Sequence, residues 1–502
     1  MHNGPNNKAA RVASRAQGNI SSPQPEPSRT IAQEALYSSF AASTISTIQF
    51  DEFEYDYEDM EGRQNGDYYP IDIDDRLNER YRIVHKLGHG TFSTIWLALD
   101  EETRKYVAIK VEIAQSDGSE GDILTEISQS LANSNISNDK KLLIPTLLDR
   151  FEISGPEGTH PCLVTLPARH NLKNAQYNAG TELFQLDVAR SLAAQLAIAV
   201  SIVHEQGYAH GGELSRDITG FQNFSADTHR AVDIHLRNVL LQLTTSLDGL
   251  SVEKLYETYL ASPKSEIIDL SVTTYSVERV CFSVPGHEIT LAEAKLTLSD
   301  FGTAFRPADK SRYVSYADLE LRPPEASFEP ETPLDFASDI WSLGCAIFEI
   351  LGNRPLIDGG PVIDGDFERP GEITVRQVEL SGRMPSTWWK RWEERQNWYT
   401  EEGRPLLHAN RAWPWERRLE EWVQAPRQTS GMETLDEDEL AAVLKLLRDM
   451  FAWRPSDRPN ISKVLSSDWM TRWALPAYQK GLREQKDLEE RKGLGVHNGL
   501  EE

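Results

Sequence analysis

Two glycines in Leu87-Gly-His-Gly-Thr-Phe-Ser-Thr-Ile-Trp96, and a lysine closing Val107-Ala-Ile-Lys110, are the first residues of this chain whose spacing suggests chemistry. Glycine has no Cβ, so the backbone at Gly88 and Gly90 can come close to the oxygens of a phosphate. A lysine ending the following strand supplies a cation for the same oxygens. Gly-x-Gly by itself is a common turn. With Val-Ala-Ile-Lys downstream it predicts a nucleotide site on a strand, a tight turn and two further strands. A lysine in that role needs a carboxylate to hold it. Glu126, in Asp122-Ile-Leu-Thr-Glu-Ile127 on the one helix expected here (about 117–133), is the residue its position selects.

Farther along, Asp233-Ile-His-Leu-Arg-Asn238 runs straight into the apolar Val239-Leu-Leu-Gln-Leu243. An Asp followed five residues later by an Asn, before a strand, suits a base for a hydroxyl proton (Asp233) and a metal ligand (Asn238). Leu296-Thr-Leu-Ser-Asp-Phe-Gly302 then ends a strand on a second carboxylate, Asp300. Hard oxygen ligands of this kind suit Mg²⁺. A bare Asp-Phe-Gly is usually a turn, but the ordered occurrence of all these elements predicts phosphoryl transfer.

Positioning these groups takes a β-rich unit over about 81–165, a connector near Leu166–Ala168, and a larger helical unit beyond. The Thr181-Glu-Leu-Phe-Gln-Leu-Asp-Val-Ala-Arg stretch, with apolar residues three and four apart, predicts a buried helix. The fold class expected is α+β, two-lobed. Residues 1–67 read as a disordered Ser-rich and acidic tail, 68–475 as one catalytic domain (68–166 and 167–475), and 476–502 as a charged tail. Residues 242–295 form a long mixed-polarity segment, either an insertion with its own structure or a loop. The 502 residues carry a formal charge of −26 and 39% hydrophobic residues, enough for a core. Such acidity argues against direct nucleic-acid binding and suits a basic partner. Three cysteines without metal or disulfide spacing indicate a reducing compartment. No apolar run reads as a membrane span.

Three landmarks extend the pattern: Arg322-Pro-Pro-Glu325, Asp339-Ile-Trp-Ser-Leu-Gly344 and Trp453-Arg-Pro-Ser-Asp-Arg458-Pro. With them, residues 68–475 resemble the eukaryotic protein kinases. The strings Lys86-Leu-Gly-His-Gly-Thr-Phe-Ser-Thr-Ile-Trp-Leu97 and Leu147-Leu-Asp-Arg-Phe-Glu-Ile-Ser-Gly-Pro-Glu-Gly-Thr-His160 resemble the SR-protein kinases. The long segment 242–295, with Glu288-Ile-Thr-Leu-Ala-Glu-Ala294, and the Trp-rich Trp388-Trp-Lys-Arg-Trp392 resemble their fungal branch. The resemblance implies ATP and Mg²⁺ as cofactors. It implies Lys110, Glu126 and Asp233 as the catalytic set and Asn238 and Asp300 as metal ligands. Leu87, Gly88, Gly90, Ser93, Ile95, Ala108, Lys110, Leu166 and Ala168 would form the nucleotide site, with Thr165 at its rear. It further implies basic Arg/Ser-rich protein substrates, a monomer without nucleic-acid or membrane partners, and residence in cytoplasm and nucleus. Glu325 and Arg458 are expected to pair architecturally, with Asp339 bracing the catalytic loop.

The departures are specific. Residues 212–232 separate His210-Gly211 from Asp233, where the family has them adjacent. Excising them restores Tyr-Ala-His-Gly-Asp-Ile-His-Leu-Arg-Asn, and we read them as a retained intron or gene-model error. The alternatives are an insertion in a weak kinase, or an ATP-binding scaffold without turnover. His235 replaces the usual lysine two residues after the base, and no arginine precedes Asp233, so activity should not depend on phosphorylation at Ser311, Tyr313, Ser315 or Tyr316. A small-molecule kinase, suggested by His-Gly-Asp-x-His-x-x-Asn, is disfavoured by Glu325, Asp339 and Arg458.

Overall fold

The structure is a computed structural model. It describes residues 68–498 except 91, 157, 178, 212–233, 260–281, 283–284, 316, 358–369 and 407–411. The tail at 1–67, the segment 212–232 and Asp233 therefore lie outside the described residues.

The small lobe is one antiparallel sheet. Its strands are β1 (Arg76–Leu77), β2 (Tyr81–Gly90), β3 (Ser93–Asp100), β4 (Lys105–Glu112), β5 (Leu147–Gly155) and β6 (Gly158–Thr165), in the order β1-β2-β3-β4-β6-β5. Successive side chains on a strand face opposite ways. Ile83, Trp96, Val107, Ile109, Val111 and Val164 accordingly form the core of one face. Val84, Leu97 and Tyr106 lie on the other. The helix Ser119–Asn133 buries Ile123, Leu124, Ile127 and Leu131, a stripe at helical spacing. That stripe belongs to the same apolar cluster as the large-lobe core.

Past Leu166, β7 (Ala168–Asn171) pairs with β8 (Val239–Gln242), which pairs with β9 (Leu296–Leu298). Beneath this sheet runs the helix Leu186–Glu205, long and apolar enough to cross a membrane by length and composition, yet buried along nearly all of its length. Its apolar spacing thus marks the centre of the large lobe. The α+β two-lobed architecture is the one expected.

Two features brace the large lobe. Arg458 donates from both Nη atoms to Glu325, at 2.8 and 2.6 Å, with both side chains buried. Further bonds to the carbonyls of Ala337 and Ala452 satisfy the guanidinium, which a buried pair needs to offset its desolvation. Nearby, the Trp-rich stretch forms a satellite core in which Trp388 stacks on Phe328 and meets Trp453 edge-on.

The C-terminal segment differs from the charged tail expected from 476. It continues as the helix Leu475–Asn498, with Ala477 and Tyr478 buried and Lys480 paired to Asp187 at 2.7 Å. A Cβ on Gly481 would fall 2.8 Å from the carbonyl oxygen of Leu291, so the helix lies flush on the returning end of the 242–295 segment. The charges at Arg483, Lys486, Asp487, Glu489, Glu490 and Arg491, which suggest a tail, lie on the exposed side of this helix.

That long segment has its own structure where it is described. After β8 the chain turns back to the small lobe, where Leu247, Leu255 on the helix Val252–Tyr259, and Phe282 pack against Val84, Leu97 and Tyr106. Asp248 accepts from the Tyr106 amide at 3.0 Å, the Tyr106 hydroxyl donates to Leu250 O at 3.1 Å, and the Tyr256 hydroxyl donates to Val84 O at 2.5 Å. A strap from the large lobe thus covers the small-lobe sheet. Leu255 is fully buried in it, so Leu255→Ala should lower the stability by about 2–4 kcal/mol, measured by urea unfolding of the full chain.

Candidate active site

Lys110 stands at the centre. It lies on β4 in a cross-strand row that runs Gly88, Ile95, Lys110, Leu163. Strands about 4.8 Å apart therefore bring the glycine turn and the lysine to the same end of the sheet. Its Nζ lies 2.6 Å from Glu120 Oε2 and 3.0 Å from Asp300 Oδ1. Burial acts to lower the Lys110 pKa, but Asp300, Glu120 and Glu112 outweigh it and hold the ammonium charged well above the ordinary lysine value. Burial pushes the Asp300 carboxyl up, and Lys110 more than reverses this, leaving the group ionised below its ordinary range.

The helix carboxylate is Glu120, which corrects the assignment of Glu126. Gly118, at φ 68°, turns the chain out of β4 so that the first helical turn lands beside Lys110. Glu120 is buried and uses both oxygens, one on Lys110 and the other accepting from the Phe301 amide at 3.1 Å. Six residues on, at about 100° per residue, Glu126 lies on a different face and about 9 Å farther along the axis. It meets Tyr208 and Arg306 instead. An acidic first turn after a Gly that must adopt positive φ was the signal available in the sequence.

Asp300 and Asn238 come together because β8 and β9 are antiparallel neighbours. The Ser299 amide and hydroxyl both donate to the Asn238 carbonyl, each at 2.8 Å. Asp300 holds φ 65°, a left-handed conformation that Asp tolerates better than most residues. Phe301 is fully buried, edge-on to His210 at 4.9 Å. The loop before Asp233 is anchored by the fully buried Asp339, which accepts from the amides of His210 at 2.8 Å and Gly211 at 3.1 Å and from His204 Nε2 at 2.8 Å. After the undescribed stretch, Ile234 and Leu236 are buried in the core.

The remaining nucleotide-site residues fall around this cluster. Ser93 closes the glycine turn opposite Gly90 and is buried. Ala108 is buried and pairs with Thr165 across β4–β6. Leu166 is half-exposed at the connector, just before Ala168 opens β7. Leu87 and Ile95 are partly buried.

A Cβ added to Gly88 or Gly90 would meet nothing within 4 Å. Packing therefore does not require these glycines, and neither has a positive φ. Gly88→Ala and Gly90→Ala should leave stability within about 0.5 kcal/mol of the parent while weakening ATP binding, as read by thermal unfolding and nucleotide titration.

A family model described as "protein kinase domain" matches residues 288–470. The chain is similar to a serine/threonine protein kinase of Aspergillus fumigatus, at 23% identity over 421 residues, covering 82% of this chain and 90% of the relative. It is also similar to the serine/threonine-protein kinase SRPK of Physarum polycephalum, at 23% over 428 residues, 84% of this chain and 92% of the relative. SRSF protein kinase 3 of Mus musculus is 31% identical over 148 residues, 29% of this chain and 26% of its own length. The chain carries a protein kinase domain and is similar over most of its length to an SRPK. It is an ATP-dependent serine/threonine protein kinase, and the comparisons give no support to a scaffold without turnover.

One further acid of the kinase lies behind Lys110. Glu112 is buried, hydrogen-bonded to Ser116, and has Oε1 without a partner. Burial first, then the Glu120 charge, push its carboxyl up to about 7, with Lys110 opposing. A raised carboxyl stabilises the fold fully below its unfolded value of about 4.5 and loses that contribution as pH rises through about 7. From about pH 5 to about pH 8 the melting temperature of Glu112→Gln should therefore fall less than that of the parent, checked by calorimetry.

Proposed function

We propose that this kinase transfers the γ-phosphoryl group of ATP to serines in basic, Arg/Ser-rich protein segments. The observation that carries the reading is Lys110 held between Glu120 and Asp300, beneath a glycine turn with unfilled space. Lys110 places a fixed cation for the α- and β-phosphates, and Glu120 keeps it aimed. Leu166 to Ala168 and Ala108 bound the adenine. Asp233 takes or orients the substrate hydroxyl proton, and His235 stands beside the γ-phosphate. Asp300, ionised, and Asn238 supply hard oxygen donors that suit Mg²⁺. When bound, the metal neutralises charge developing on the phosphate oxygens. The relatives named SRPK and SRSF protein kinase, and this chain's formal charge of −26, support a cationic Ser-rich substrate. On the same basis we place the enzyme in cytoplasm and nucleus.

The test is transfer of labelled phosphate from ATP to an Arg/Ser-repeat peptide by the full chain, by a form lacking 212–232, and by Asp300→Ala. Transfer by the shortened form that Asp300→Ala lowers at least about a hundredfold is the expected result. Peptides without arginine should be poor substrates. Transfer by the full chain as well means that the loop tolerates its insert. No transfer by either form, with ATP still bound, overturns the assignment.

A further inference from the structure

The sequence spacing assigns Glu126 to Lys110, and the structure places it elsewhere, in a cluster the nucleotide site does not use. Tyr208 donates its hydroxyl to Glu126 Oε2 at 2.6 Å, and Arg306 Nη2 pairs with the same oxygen at 2.7 Å. The Arg306 guanidinium also lies over the Tyr208 ring, 4.4 Å from its centroid. Each group touches the other two, so the three have one mutually satisfied arrangement.

The position of this cluster gives it a task. Ala209 and Phe305 form an antiparallel bridge, with amide-to-carbonyl distances of 2.8 and 3.0 Å. The bridge sets Tyr208 and Arg306 side by side. One of its strands leads directly into His210 and Gly211, which Asp339 holds at the catalytic loop. The other comes directly from Asp300 and Phe301. A carboxylate that binds both Tyr208 and Arg306 is thus registered against both walls of the active site at once.

The helix that carries Glu126 needs such a fixing point. Its first turn has no side-chain cap, since Gly118 stands at that position. Its buried stripe (Ile123, Leu124, Ile127, Leu131) is apolar, and apolar contact is non-directional. Glu120 must nevertheless reach Lys110 and the Phe301 amide with hydrogen-bond accuracy. Glu126 is on the side of the helix, about 9 Å from Glu120 along the axis. A directional contact there fixes both the roll and the height of the helix. Glu126 and Arg306 are half-exposed, beside an open cavity of about 240 Å³ lined also by Gln129, Ser130, Asn133 and Gln206. An isolated pair so exposed contributes little, whereas a network with an aromatic hydroxyl and a cation–π contact contributes more.

We propose that Glu126 is a positioning residue. Through Arg306 and Tyr208 it locks the small-lobe helix to the segments leading to the catalytic loop and Asp300, and so holds Glu120 against Lys110. The kinase reading is assumed only where ATP is concerned.

A charge-swap cycle tests this on the full chain, with two readouts: amide hydrogen exchange over 119–133 and ATP affinity by titration. Glu126→Arg and Arg306→Glu should each speed exchange of the helix and weaken ATP by about fivefold or more, and the double variant should recover most of both losses. Glu120→Gln should weaken ATP in the parent and in the double variant alike. A double variant as impaired as the single ones overturns the proposal. So does a Glu120→Gln protein that binds ATP like the parent while Glu126→Gln does not, because Glu126 is then the partner of Lys110. A parent that binds no ATP contradicts the kinase assignment instead, and helix exchange still decides the lock.

Discussion

A single ammonium group held between two carboxylates organises this molecule. Lys110 comes from the sheet, Glu120 from the helix and Asp300 from the strand end of the other lobe. Glu120 is buried and Lys110 largely so, and leaving either without a partner would be costly. The three elements cannot move independently without breaking a charge-assisted bond. The arrangement also keeps Lys110 charged and Asp300 ionised at neutral pH, the states that phosphate and metal recognition require. Asp300 itself adopts a left-handed backbone there.

Around that centre, buried polar anchors fix loops onto the apolar core. Asp339 fixes the amides of His210 and Gly211, and Arg458 fixes Glu325 at the start of the short helix Pro324–Phe328. Asp339 lies on the helix Phe336–Leu351, Arg458 reaches its first turn through the Ala337 carbonyl, and the Asp335 side chain caps that turn. One well-capped helix therefore serves as the reference against which the large-lobe loops are placed.

Much of this was legible in the sequence because it is local. The glycine turn closes β2, Asn238 and Asp300 flank β8 and β9, and Lys110 lies within β4, all strands marked by their apolar pattern. Asp339 and the Glu325–Arg458 pair were legible as landmarks with fixed neighbours. Glu120 was not, because the face a helix presents depends on the linker 113–118 and on rigid-body packing, neither of which has a periodicity. The strap was obscure for a related reason. Leu247, Leu255 and Tyr256 are scattered among polar residues, and their apolar partners lie far away on β2 to β4. The C-terminal helix was misread because its charges face outward and hide the buried Tyr478 and the close approach at Gly481.

The strap also bears on how the protein comes apart. In a two-lobed enzyme joined only by a short connector, the smaller lobe can lose its structure while the larger one persists. Here residues of the large lobe form part of the small lobe's interior, where Tyr106 donates to Asp248 and Leu250 and the Val84 carbonyl accepts from Tyr256. Melting the small sheet strips Leu247, Leu255 and Phe282 of their cover, and melting the large lobe uncovers the sheet. The two lobes consequently share one cooperative transition, and a lesion in either is felt as a loss of the whole kinase.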